Sequence, residues 1–193
     1  MKNIFILMAC LLFGLKASSQ TNKPDSLKIG NAIPFFDTLK NASIDGKRQV
    51  SLNDYKKQKG VIIVFMTNNC YHCINYRERI KNLHTQFAKK GYPVIAINPF
   101  NSKYAVEDSF EEMVKWAKKD GYVFPYLQSN NDTLPALYGL KHTPTVFVAQ
   151  KVGNKLLLKY KGAIDDDMQN KKPKKINYVE DVVNMLLGNT CVK

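Results

Sequence analysis

Acidic residues, cysteines and long apolar runs are all scarce in this chain. Sixteen Asp and Glu stand against 29 Lys and Arg, a formal net charge of +13. A surplus of that size favours acidic partners or anionic surfaces, but the lysines are scattered. The one dense run, KKPKK at Lys171–Lys175, is broken by a proline and precedes a predicted helix. It reads as a solvated loop, and with no nucleic-acid motif beside it nucleic acid is not expected as a partner. Four cysteines in 193 residues do not make a disulfide scaffold, and a chain of this length can bury a core without one. Repeats and low-complexity segments are absent, which excludes solenoids and arrays. The longest apolar run, IFILMACLLFGL over residues 4–15, is too short to span a bilayer.

What is present begins with that run. Lys2 precedes it and KASSQ follows it, a pattern that predicts a secretory signal peptide over residues 1–20, cleaved near Ser19 or Gln20. Cys10 lies inside the run rather than after it, so a lipoprotein signal is not indicated. Residues 21–29 then read as a polar tether and 30–190 as one domain. The mature protein is expected outside the cytoplasm, in the periplasm if the source is Gram-negative, with no stable membrane insertion. Three cysteines remain after processing: Cys70, Cys73 and Cys191. An odd number in an oxidising compartment leaves one thiol over.

The element pattern alternates. Extended pieces flank the turn signal Asp45-Gly46, which predicts an N-terminal hairpin. VIIVFM, Val61–Met66, is a buried strand, and Ile80, Leu83 and Phe87 mark a helix over 70–90 closed by Gly91. A second strand covers YPVIAIN, Tyr92–Asn98. A helix over 107–119 carries Phe110, Met113, Val114 and Ala117 on one face. A short helix covers 132–138, TVFVA and KLLLKY form a hairpin about Gly153-Asn154, and Val179, Val182, Val183 and Leu186 mark a last helix. The fold class is therefore α/β, a central mixed sheet with helices on both faces.

Chemistry concentrates where the first buried strand ends, at NNCYHC. A strand feeding a helix sets Cys70 at the helix N-terminus, where unpaired backbone N–H groups and partial positive charge favour a thiolate. Cys73 follows in the same turn, positioned to attack a mixed disulfide. His72 between them adds an imidazole whose charge would lower the Cys70 pKa further and make the couple more oxidising, in the upper half of a range of about −270 to −120 mV. Tyr71 is an exposed neighbour of the thiols. A c-type haem would need His where Ile74 stands. A zinc site would need two more ligands, and Cys191, His84 and His142 are far away in sequence. Neither metal nor organic cofactor is expected; an inert bridge would close a very small loop and stabilise little. His84 and His142 read as structural, and Asp165–Asp167 as a solvated turn.

FMTNNCYHC together with KHTPTVFVA resembles the thioredoxin superfamily. IPFF, DG, VSLNDY, NYRERI, GYPVIAINP, EDSFEEM, FPYL and GAIDDD are similar to its peroxiredoxin-like, AhpC/TSA-related branch. The resemblance covers about 30–188. It implies a thioredoxin-like fold in which Cys70 and Cys73 face a cis-proline at Pro144, with Thr143 before it and Tyr71, Thr143 and Pro144 contacting an extended substrate. It implies thiol–disulfide exchange with thiol- or disulfide-containing proteins and a membrane or soluble redox partner, through a redox-active Cys70–Cys73 disulfide.

Two departures bear on that activity. Val64 stands where thioredoxins carry a buried acid, so the base for Cys73 is not identified. Thr67 matches the threonine of the peroxiredoxin motif, but Ile63 stands where its proline belongs and no peroxide-activating arginine can be assigned. Thiol peroxidase activity is thus the alternative, and a non-catalytic thioredoxin-fold binding module the second. Cys191 could be a third redox thiol or a lone terminal cysteine.

Overall fold

Gly60–Phe65 has no polar side chain, and every one of its residues is buried. Such a run suits a strand packed on both faces. In the computed structural model, which describes residues 27–43, 48–100, 105–129 and 131–188, this strand lies inside a seven-stranded sheet. The strands are β1 (Leu39–Asn41), β2 (Gln49–Val50), β3 (Gly60–Phe65), β4 (Val94–Asn98), β5 (Tyr126–Gln128), β6 (Thr145–Val152) and β7 (Lys155–Gly162), arranged β2-β1-β5-β4-β3-β6-β7. β3, β4 and β5 are parallel; the other pairings are antiparallel. The β1–β2 pair is the expected N-terminal hairpin, and its turn, Asp45-Gly46, lies outside the described residues. The predicted signal peptide and Cys191 lie outside them too. No helix among the described residues is long and apolar enough to cross a membrane.

Side-chain alternation along β3 divides the core. Ile62, Val64 and Met66 join one apolar cluster with the buried faces of α1 (Tyr71–Phe87), α2 (Phe110–Asp120) and α4 (Tyr178–Leu186). Val61, Ile63 and Phe65 join the other, with Ile33, Phe36, Leu52 and the short α3 (Thr133–Leu137). On that second face Phe65, Tyr138 and Phe147 pack edge-on with ring centroids 5.0–5.6 Å apart, geometry favoured by the aromatic quadrupole.

α2 begins at Phe110 rather than Glu107. Ser109 is its N-cap and accepts the Glu112 N–H, while 106–108 form a separate 3-10 turn. His84 is structural: its Nδ1 accepts the Val94 N–H at 3.2 Å, tying α1 to the start of β4.

One expectation fails. Asp165–Asp167 is not a solvated turn, because Asp165 and Asp167 are 3% and 5% exposed. Asp165 accepts the Tyr76 hydroxyl at 3.0 Å and the Arg79 guanidinium at 2.5 Å. Asp167 accepts the Lys172 N–H at 2.7 Å. A residue read as loop from its charge is buried because a tyrosine and an arginine on α1 supply its partners.

Gly60 shows how closely β3 is packed. A Cβ there would fall on the Ala149 carbonyl oxygen and the Tyr92 ring, nearer than any side chain tolerates. Gly60→Ala is expected to destabilise the fold by about 1–3 kcal/mol, the cost of forcing a methyl group into a filled core. Urea unfolding measures it, and an unchanged midpoint would contradict the packing described here.

Candidate active site

β3 ends at Phe65, and 66–69 carry the chain across the top of the sheet to Cys70, the N-cap of α1. Ligand sites in open α/β sheets gather at this carboxyl end of the strands. Cys70 has extended backbone angles, φ −74° and ψ 118°. Its carbonyl accepts the first helical bond, from the Ile74 N–H at 2.9 Å. Its side chain is part-exposed, whereas Cys73 is fully buried under it; both are free thiols.

The two sulfurs occupy opposed electrostatic environments. Burial raises the Cys70 pKa, but hydrogen bonds from the Cys73 backbone and thiol, the Thr143 side chain and the His72 backbone outweigh it, and the net value lies below that of an ordinary thiol. Burial pushes Cys73 up to about 12, against a hydrogen bond from the Thr67 backbone and with the Cys70 sulfur adding to the rise. Thr143 acts on Cys70 in two ways: its side chain favours the thiolate, and its carbonyl, 3.4 Å from Sγ, accepts the S–H of the thiol.

His72 lowers the Cys70 pKa through its backbone N–H. This differs from the expected imidazole effect. The ring is exposed and packs edge-on against Tyr71, centroids 5.6 Å apart. Among the residues predicted to meet substrate, Thr143 and Pro144, joined by a cis peptide, line a cavity of about 490 Å³ with His72 and His142. Tyr71 does not line it; its side chain is 62% exposed. Tyr76, Ile164 and Met168 supply apolar wall, and the Asp165 cluster forms the remaining side. The helix arginines are committed elsewhere: Arg79 to Asp165, and Arg77 to Asp120 at 2.9 Å and to the Trp116 ring at 4.1 Å.

Sequence reasoning missed the polar network that holds the turn. Asn68, two residues before Cys70, is 2% exposed, yet each of its polar groups is satisfied. Its N–H donates to Asp108 Oδ1 at 2.7 Å and its side-chain amide to the Glu107 carbonyl at 2.9 Å. Its Oδ1 accepts the Tyr126 hydroxyl at 2.9 Å and its carbonyl accepts Arg77 at 2.7 Å. The same Asp108 oxygen accepts Asn98 Nδ2 at 2.8 Å. The asparagine pair ahead of Cys70 was the available signal, but its partner lies forty residues away.

The AhpC/TSA family model matches residues 29–155. Thiol-disulfide oxidoreductase ResA of Geobacillus thermodenitrificans (strain NG80-2) is 27% identical over 150 residues, 78% of this chain and 79% of that protein. A hypothetical protein, SMc02350, of Sinorhizobium meliloti 1021 superposes with a TM-score of 0.74 at 23% identity, covering 88% of this chain and 90% of its own. A putative thiol:disulfide interchange protein DsbE from Chlorobium tepidum gives 0.61 at 21% identity, covering 84% and 100%. These two structures establish a shared thioredoxin-like fold.

Two outcomes follow from the geometry. Cys70 alkylation by iodoacetamide should show a pH midpoint below that of a free cysteine, near 8.5. His72→Ala, which keeps the N–H, should move it little, whereas Cys73→Ala should raise it more than Cys73→Ser. A large rise in His72→Ala would restore the imidazole as the dominant influence. Separately, Asp108→Ala leaves the buried Asn68 N–H unmatched and Asn98 Nδ2 with only the Tyr126 hydroxyl at 3.3 Å, and should cost about 1–3 kcal/mol while slowing Cys70 alkylation at pH 7. Asp108→Asn retains an acceptor and should recover most of both; equal stability of Asp108→Ala and wild type would refute the network's role.

Proposed function

The chain belongs to the AhpC/TSA family of the thioredoxin superfamily, and on that premise we propose that it is a thiol–disulfide oxidoreductase working through Cys70 and Cys73. The observation that carries this reading is the opposition of the two thiols, one held toward thiolate at the start of α1 and one buried and protonated to about pH 12. The Cys70 thiolate attacks a substrate disulfide, forming a mixed disulfide and releasing one substrate sulfur as thiolate. Cys73 then gives up its proton and attacks the Cys70 sulfur. The second substrate sulfur leaves, takes up a proton, and the Cys70–Cys73 disulfide remains, so two electrons have passed to the substrate. The reverse sequence oxidises a dithiol. The sulfurs carry both electrons, and no cofactor is required.

The missing acid at Val64 is partly offset by the chemistry itself. The Cys70 sulfur contributes to the raised Cys73 pKa by charge and by hydrogen bonding. Once Cys70 is bound in the mixed disulfide its charge is gone, and the Cys73 proton is easier to remove at that step. Thr143 and Pro144 form the wall on which a thiol- or disulfide-bearing protein lies, with His72 and the cavity beside it as the neighbouring contacts. We further assign residues 1–20 to an export signal and 30–190 to the mature domain. On this reading the protein works outside the cytoplasm with a membrane or soluble redox partner, and Cys191 is a third exchangeable thiol.

Trapping tests the proposal. In Cys73→Ser the mixed disulfide on Cys70 cannot be resolved, so covalent adducts that dissolve in dithiothreitol should accumulate. Cys70→Ser should yield none. Titration against glutathione should show a single two-electron couple in the wild type. A protein that traps nothing and whose two sulfurs stay apart under diamide is a binding module rather than an oxidoreductase.

A further inference from the structure

At the end of the sheet opposite the thiols lies a second cavity, about 590 Å³ in volume. Its position follows from strand direction. β3 starts at Gly60 opposite Gln150 of β6 and finishes at Phe65 opposite Thr145, next to Pro144. The cavity sits beyond the first of these ends, against the N-terminal segment and the β6–β7 turn.

Its walls are apolar and its rim is cationic. Ile33, Phe35, Leu52 and Leu156 line it, and Phe35 stands 53% exposed at its mouth. Lys56, Lys57, Lys151 and Lys155 surround it, and no carboxylate is among its lining residues. Lys151 N–H and Nζ donate to the Lys59 and Lys56 carbonyls, fixing the end of β6 against 56–59. Four lysines line one apolar trough with no carboxylate among its lining residues, so an anion placed there meets positive charge on several sides. The volume lies within the range of small-molecule sites, about 300–1,000 Å³.

The backbone argues against a peptide strand as the occupant. β7 would be the edge for strand addition, but 30–33 already cover it. Gly30 N–H donates to Leu158 O at 2.8 Å, Leu158 N–H to Asn31 O at 2.8 Å and Ile33 N–H to Leu156 O at 2.9 Å. What remains for a ligand is apolar contact, positive charge and the side-chain amides of Asn53 and Asn154.

We propose that this cavity binds an acyl amphiphile with an anionic head, the chain lying on Phe35, Leu52 and Leu156 and the head among the lysines. Fatty carboxylates and anionic membrane lipids share this chemistry. The site is independent of the thiols, which lie at the opposite end of β3.

The probes are dodecanoate below its micellar concentration, dodecyl maltoside as the uncharged control, and vesicles of phosphatidylglycerol or phosphatidylcholine. Calorimetry should show dodecanoate binding that weakens with salt, with no comparable binding of the maltoside. Alternatively, flotation should show binding to phosphatidylglycerol but not phosphatidylcholine vesicles; which arm responds identifies the source of the amphiphile. The triple variant Lys56→Glu, Lys57→Glu, Lys155→Glu should lose at least about a hundredfold in affinity, as expected from about fivefold per lysine. Phe35→Ser should weaken chain binding while keeping salt dependence. Thermal unfolding and thiol exchange should be unchanged in both. Reversing Lys171, Lys172, Lys174 and Lys175 instead should leave binding intact. Failure of both charged probes to bind, or equal loss in the two lysine variants, would overturn the proposal.

Discussion

The position of the Cys70 sulfur rests on one buried carboxylate. Asp108 Oδ1 binds the backbone N–H of Asn68 and the side-chain amide of Asn98, so it joins the segment before Cys70 to the end of β4. A turn crossing the top of a sheet has backbone groups with no strand partners, and burying them unmatched would cost about 1–3 kcal/mol each. Here those groups are spoken for: Asp108 takes the N–H, Arg77 fills the carbonyl, and Glu107 and Tyr126 complete the side chain. The turn therefore has little freedom, and Cys70 enters α1 as an N-cap of fixed direction.

From that position the difference between the thiols follows from burial, backbone hydrogen bonds and the two sulfurs themselves. Cys70 stands outside the first turn, where backbone N–H groups converge on it. Cys73, one turn deeper, meets Tyr76, Ile80 and the sheet and loses its solvent. A helix start beside an apolar core places two identical side chains in opposed environments, one favouring the thiolate and one the thiol. The histidine between them contributes through the same backbone array, which is why its ring can remain exposed.

The sequence was informative wherever the governing interaction is local. The unbroken apolar run of β3, the spacing of Ile80, Leu83 and Phe87, and the Gly153-Asn154 turn each specify an element through neighbours a few residues away. Cys70 at the start of α1 was legible for the same reason. The start of α2 was placed three residues early, because the apolar periodicity was read without the Ser109 N-cap that the structure shows. The Asn68–Asp108 pairing and the burial of Asp165 were not legible. Their partners lie forty and eighty-six residues away, and a charged residue in isolation reads as solvated. Tyr71 is exposed, as its place beside Cys70 suggested, and its ring lies outside the cavity lined by Thr143 and Pro144, because at a helix start successive side chains point in different directions.

The thiols and the lysine-rimmed cavity are separated by the length of β3, six residues or about 20 Å of extended chain. The strand is buried along its whole length and pinned at its start by the close fit of Gly60 against β6. Packed cores of this density do not deform smoothly, so an occupant at one end is held in a fixed geometry relative to the chemistry at the other. An amphiphile seated on Phe35 would thus orient the domain and present Cys70 away from whatever surface supplied it. Orientation, rather than communication through the sheet, is the coupling that this architecture provides.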